Sequence, residues 1–124
     1  MLVLADRDYP RPEVVYDDLS TLFLQSGLKT LTVIHGGNPT GPDRMVRTFI
    51  ADWRPWTVYL ARDVVEEVHE PPWSAYGELA PVRNDRGMFG ATPHLALAYP
   101  GPASTRIEDW LLGAHAKGLD LTVR

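Results

Sequence analysis

Apolar residues recur with two different periods along this chain, and the switching between them predicts its architecture. Leu2 to Ala5 is a short unbroken apolar run, the pattern of a strand buried on both faces. Val15, Leu19, Leu22 and Phe23 then fall at offsets of four, seven and eight, which is one face of a helix. Pro12 stands near the first turn of that helix and Gly27 at its end. Leu31 to Ile34 is a second strand, rich in β-branched residues, running straight into His35-Gly36-Gly37. A helix from Pro42 to Trp53 turns Met45, Val46, Phe49 and Ile50 inward.

Beyond this point the pattern is weaker. Trp56 to Leu60 reads as a third strand. Between Ala61 and Glu78, Val64, Val65 and Val68 suggest one helical turn, which Pro71-Pro72 stops. A helix follows from about Leu79 to Phe89, then a fourth strand over Leu95 to Tyr99 that ends in Pro100-Gly101-Pro102. Ile107, Trp110, Leu111 and Ala114 mark the last helix, closed by Gly118, and Leu119 to Val123 is the final strand.

Strands that alternate with helices imply a parallel sheet covered on both faces, since parallel strands need crossovers. The expectation is a single α/β domain over 1–124: a three-layer α/β/α Rossmann-like fold with a five-stranded parallel sheet in the order 3-2-1-4-5. In such sheets a ligand sits outside the carboxyl ends of the strands, near the point where the strand order reverses. That locates a site in the loops Asp6–Pro10, His35–Asp43 and Pro100–Thr105.

Composition narrows the classes of function. The 124 residues carry a net charge of −4, so a broad electrostatic grip on nucleic acid is not expected. There is no cysteine, which removes disulfides, thiol nucleophiles and Cys-ligated zinc and fits a cytoplasmic setting. No run of about 18 apolar residues exists, so no membrane span is expected. The stretch Met1 to Asp6 lacks a basic flank and reads as a strand rather than a secretory leader.

The strand-end loops hold the candidate chemistry. In His35-Gly36-Gly37-Asn38-Pro39-Thr40-Gly41-Pro42-Asp43, three glycines let backbone amides approach a ligand, and the helix that follows points partial positive charge at the same place. The alternative role is a plain turn with Thr40 or Asp43 as a helix cap. No Lys-Ser/Thr follows the glycines, so this is not the nucleoside-triphosphatase phosphate loop. After the fourth strand, Gly101, Ser104 and Thr105 offer a second anion loop, with Glu108 one turn into the helix. Arg7 and Asp8 follow the first strand, and Arg83 and Asn84 lie early in the fourth helix, where an arginine suits phosphate or carboxylate. Trp73 and Tyr76 are candidates for an aromatic wall over the site. His35, His69, His94 and His115 show no metal-binding spacing, and only His35 ends a strand at the ligand edge.

Together these loops resemble the SLOG superfamily, and within it the small YspA-type subgroup. The subgroup's Gly-Ser-Arg-Asp-aromatic segment corresponds here to Ala5-Asp6-Arg7-Asp8-Tyr9. Its His-Gly-Gly…Gly-Ala-Asp loop corresponds to His35-Gly36-Gly37 and Gly41-Pro42-Asp43, and its Trp…Tyr-Gly…Arg-Asn stretch to Trp73, Tyr76-Gly77 and Arg83-Asn84. Its Phe-Pro-Gly-Gly loop corresponds to Tyr99-Pro100-Gly101-Pro102. The resemblance spans nearly the whole chain. Departures fall in the phosphate-facing loops: Ala5 and Asp6 stand where glycine and serine are usual, Pro102 replaces the second glycine, and Pro39 and Pro42 stiffen the middle loop.

The resemblance implies binding or sensing of a nucleotide or nucleotide-derived small molecule by a homodimeric protein, with no cofactor. The wider superfamily includes LOG-type phosphoribohydrolases with a Pro-Gly-Gly-x-Gly-Thr-x-x-Glu signature. Pro100-Gly101 and Thr105 to Glu108 are similar to it at proline, first glycine, threonine and glutamate. That likeness implies a hydrolase in which Glu108 binds ribose or stabilises oxocarbenium-like charge and Arg83 holds the leaving base or phosphate. A third implication is a degenerate site that serves protein–protein contact, which the four tryptophans in 124 residues would suit.

Overall fold

The computed structural model of the chain describes all residues except 26, 28, 72–76, 78, 79 and 92, and all side chains of the described residues except those of Val58 and Val82. Five parallel strands form one sheet: β1 (Leu2–Ala5), β2 (Thr30–His35), β3 (Asp63–Val68), β4 (Ala96–Tyr99) and β5 (Leu121–Val123). Their order is β3-β2-β1-β4-β5, as the alternation of elements predicts. The helices are α1 (Glu13–Gln25), α2 (Pro42–Trp53), a short α3 (Thr57–Leu60), α4 (Ala80–Phe89) and α5 (Ile107–Ala116).

The sheet divides the core in two because successive strand residues point to opposite faces. Val3, Val33, Leu97 and Tyr99 face α1 and α2, which contribute Val15, Leu19, Phe23, Val46, Phe49 and Ile50. Leu2, Leu4, Ala96 and Ala98 face the other way, onto Met88 and Phe89 of α4 and Trp110 and Ala114 of α5. Alanines at 96 and 98 leave room for the Trp110 indole, which is completely buried. The result is the expected three-layer arrangement.

The third strand is not Trp56–Leu60. That segment is a 3₁₀ turn (Arg54–Trp56) followed by α3, which ends where Ala61 adopts a left-handed φ of 52°. Its large side chains stay in solvent, Trp56 at 58% and Tyr59 at 81% exposure, so its β-forming residue types had no sheet surface to cover. The strand is Asp63–Val68 instead, and Val64, Val65 and Val68 belong to it rather than to a helical turn. It pairs with β2 from Thr30↔Asp63 to His35↔Val68. As an edge strand it buries Val64 and exposes Asp63, Val65 and Glu67, so the apolar run expected of a central parallel strand is absent.

The direction in which successive strands are added reverses between β1 and β4, while all the strands run parallel. These strands pair in register from Leu2↔Ala96 to Ala5↔Tyr99. The loops leaving β1, β2 and β4 therefore emerge side by side at one end of the sheet.

Candidate functional site

Two close approaches bind the three loops together. Gly41 sits before α2 with φ 71°, and an added Cβ there would lie 2.5 Å from the Arg7 carbonyl oxygen and 2.9 Å from its Cα. Only glycine satisfies both the left-handed backbone and this contact. On the other side, an added Cβ at Gly101 would lie 2.0 Å from Asp8 Oδ1, and the Gly101 N–H donates to Asp6 Oδ2 at 3.0 Å. The β1 loop is thus held between the loops that follow β2 and β4.

Between them lies a cleft of about 820 Å³, lined chiefly by Asp6, Arg7, Asp8, Gly36, Gly37, Asn38, Pro39, Asp43, Glu70, Asn84 and Arg106. Its volume falls within the range usual for small-molecule sites, roughly 300–1,000 Å³. Of the residues expected from sequence, Arg7, Asp8, Gly36, Gly37, Asp43 and Asn84 are in its wall. Gly41 and Gly101 shape it from behind through the contacts just described. His35 is completely buried beneath the wall. Thr40 is exposed and turns inward on its own loop, its N–H and hydroxyl both donating to Asn38 Oδ1 at 3.1 Å.

Ser104, Thr105, Glu108 and Arg83 are not among the lining residues. Ser104 Oγ accepts the Arg106 N–H at 3.3 Å, while Thr105, Glu108 and Arg83 are exposed on their elements. The proposed aromatic wall of Trp73 and Tyr76 lies outside the described residues.

The residue that sequence reasoning passed over is Arg106. Its Nε donates to Asp85 Oδ2 at 2.9 Å and its Nη2 to Asp85 Oδ1 at 2.6 Å. Its Nη1 donates to the Ala5 carbonyl at 2.9 Å and to Asp6 Oδ1 at 3.1 Å. The guanidinium also lies 5.0 Å from the Trp110 ring centroid, and the Trp110 Nε1–H donates to Asp85 Oδ2 at 2.7 Å. Burial works against the Arg106 charge, but hydrogen bonds and attraction from Asp85 and Asp6 outweigh it and raise its pKa. Burial also pushes the Asp85 carboxyl upward, opposed by the same bonds from Arg106 and by Trp110.

Two signals for this network stand in the sequence. Arg106 is at the N-terminal cap of α5, where a cation opposes the helix dipole and needs a carboxylate nearby. Asp85 precedes Met88 and Phe89 by three and four residues, which places it on the apolar stripe of α4.

Asp43 is the second buried carboxylate of the site, 5% exposed in the first turn of α2. Its Oδ2 accepts the Asn38 N–H at 3.0 Å, while its Oδ1 has no hydrogen-bond partner among the described residues. Burial raises its pKa, against the Asn38 bond and the nearby His35 and Arg106. The His35 Nδ1 accepts the Gly37 N–H at 3.1 Å and stands 3.9 Å from Asp43 Oδ1. His35 Nε2 is 3.2 Å from Glu66 Oε2 but without the alignment of a hydrogen bond. Asn84 is fixed by a short hydrogen bond from its Nδ2 to the His69 carbonyl.

No group of three or more His, Cys, Asp or Glu side chains is placed to hold a metal ion among the described residues. No described helix is long and apolar enough to cross a membrane. Compared with known proteins, the chain matches no family model, no curated protein and no solved structure.

Proposed function

We propose that the chain binds a nucleotide-derived small molecule in the cleft at the carboxyl ends of β1, β2 and β4. The observation that carries this reading is the contact of the Asp6–Asp8 loop with Gly41 on one side and Gly101 on the other, which closes three separate chain segments around one cavity. Arg7 and Asn84 supply donors in its wall, Asp8 and Asp43 supply acceptors, and Gly36 lets a ligand approach the backbone.

Thermal unfolding in the presence of adenosine, AMP, ADP and ADP-ribose at millimolar concentration tests it. A ligand at a hundred times its Kd adds about 2.7 kcal/mol of stability, a shift of several degrees in a domain of this size. Arg7→Ala and Asn84→Ala should lose the shift. A panel that leaves the melting temperature unmoved overturns the reading. Glu108 is not among the described residues that line the cleft.

A second reading, a protein-docking role that includes a cytoplasmic homodimer, is favoured by Trp56 and Tyr59. Both are exposed side by side, with ring centroids 6.0 Å apart. Sedimentation of the wild type and of a Trp56→Ala/Tyr59→Ala double variant tests it. A monomer in both sinks the dimer.

A further inference from the structure

We infer that the cleft takes a neutral, hydroxyl-bearing ligand of the nucleoside type and selects against a terminal phosphate. The inference rests on the ligand-binding reading above and narrows it. A phosphate site at a helix N-terminus needs unoccupied backbone amides directed at the anion. Here three amides of the loops that lead into α2 and α5 are taken by the chain itself. The Asn38 N–H is held by Asp43, the Gly37 N–H by the His35 ring, and the Gly101 N–H by Asp6. Carboxylates of the chain stand where a bound phosphate would accept.

The charge of the wall points the same way. Four carboxylates, Asp6, Asp8, Asp43 and Glu70, line the cleft against two guanidiniums. One of the two, Arg106, is engaged by Asp85 and Asp6 together. A phosphate dianion would enter against like charges in a partly desolvated space, where repulsion is strong. A cationic ligand would still meet Arg7, exposed in the same wall. A neutral polyol meets neither obstacle, and its hydroxyls complement carboxylate oxygens.

Asp43 supplies the independent sign of a missing donor. It is 5% exposed, it lines the cleft, and its Oδ1 has no hydrogen-bond partner among the described residues. Buried acceptors are rarely left unpaired, because burial strips them of water and the unmade bond is not replaced. A ligand hydroxyl reaching this carboxyl would complete it, which makes Asp43 a binding residue rather than only a brace for the loop.

Isothermal titration calorimetry of the full chain tests the inference, with adenosine, guanosine, cytidine and uridine and their 5′-monophosphates, and with ADP-ribose, at low ionic strength. At least one nucleoside should bind about tenfold or more tightly than its own monophosphate. Asp43→Asn keeps an acceptor for the Asn38 N–H and removes the charge, so the preference should narrow. Glu70→Gln, at an exposed position, should narrow it as well and keeps the test open if the Asp43 variant fails to fold. A monophosphate or ADP-ribose that binds as tightly as the nucleoside, or more so, overturns the selectivity and leaves the ligand-binding reading standing. No binding by any of these compounds overturns both.

Discussion

Asp85 grips Arg106 with both carboxylate oxygens, at 2.6 and 2.9 Å, from a position with no solvent exposure. Through this pair α4 is tied to the start of α5, and through Arg106 both are tied to the end of β1. Removing the acid leaves the largely buried guanidinium with Asp6 as its remaining carboxylate partner and strips Trp110 of its acceptor. Asp85→Ala should therefore lower unfolding free energy by about 3–5 kcal/mol. Urea denaturation reads this directly, and a loss below about 1 kcal/mol would remove the pair from any account of stability.

Gly41 and Gly27 separate backbone strain from loop contact. Both have left-handed φ, 71° and 68°, but a Cβ at Gly27 meets nothing within 4 Å while one at Gly41 meets the Arg7 backbone. Alanine at either position incurs a positive-φ cost of about 1–3 kcal/mol, larger at Gly41, whose ψ of −149° lies outside the left-handed helical region. Gly41→Ala should add a further 1–3 kcal/mol or so from overpacking and should weaken any ligand that uses Arg7. Equal losses in the two variants would show that the first two loops do not touch.

The Asp43 carboxyl gives the stability a pH dependence of defined sign. Burial raises its pKa above the ordinary aspartate value of 3.8, so in that range the folded chain holds a proton that the unfolded chain releases. Its contribution is fully present below 3.8 and is lost as pH rises through the folded value. Asp43→Asn has no such loss. Relative to the wild type it should gain stability near neutral pH and little at pH 3. Stability curves of the two proteins that run parallel between those limits would refute this.

Tyr99 links the centre of the sheet to α1. Its buried hydroxyl donates to Asp18 Oδ2 at 2.8 Å, and burial, with the Asp18 bond next, raises the phenol pKa. Asp18 also pairs with Arg124, whose Nη2 lies 3.0 Å from Oδ1. Tyr99→Phe should cost about 1 kcal/mol, since it leaves an acceptor that Arg124 and water can still serve. Arg124→Ala should cost less, because solvent screens that pair. A larger loss from Arg124→Ala than from Tyr99→Phe would reverse the assignment of which contact matters.

The strength of each hydrophobic signal explains what could be read before the structure. Leu2–Ala5 and Ala96–Tyr99 are central strands, apolar on both faces, so burial is written into consecutive residues. The β3 strand is an edge, and its Asp-Val-Val-Glu-Glu-Val sequence satisfies an edge no better than a helical turn would. Trp56 to Leu60 offered the residue types of a strand but no partner, and its helical turn depends on where α2 ends. In the same way the place of Gly36, Gly37, Asp43 and Asn84 in the cleft wall was legible because they follow a strand or lie early in a helix. Glu108 matched a motif by spacing, and spacing does not say which side of a helix faces a cleft.

Order along the chain was enough to specify a doubly covered parallel sheet and to put its loops at one end, because periodicity is local and crossovers are right-handed. Whether amides in those loops would be open to a ligand or closed by the chain's own carboxylates was not local. Asp6 meets Gly101 across 95 residues and Arg106 across 100, and Asp85 meets Arg106 across 21. Such pairings depend on distances between side chains that only the packed tertiary structure defines, and they decide the charge of the cleft.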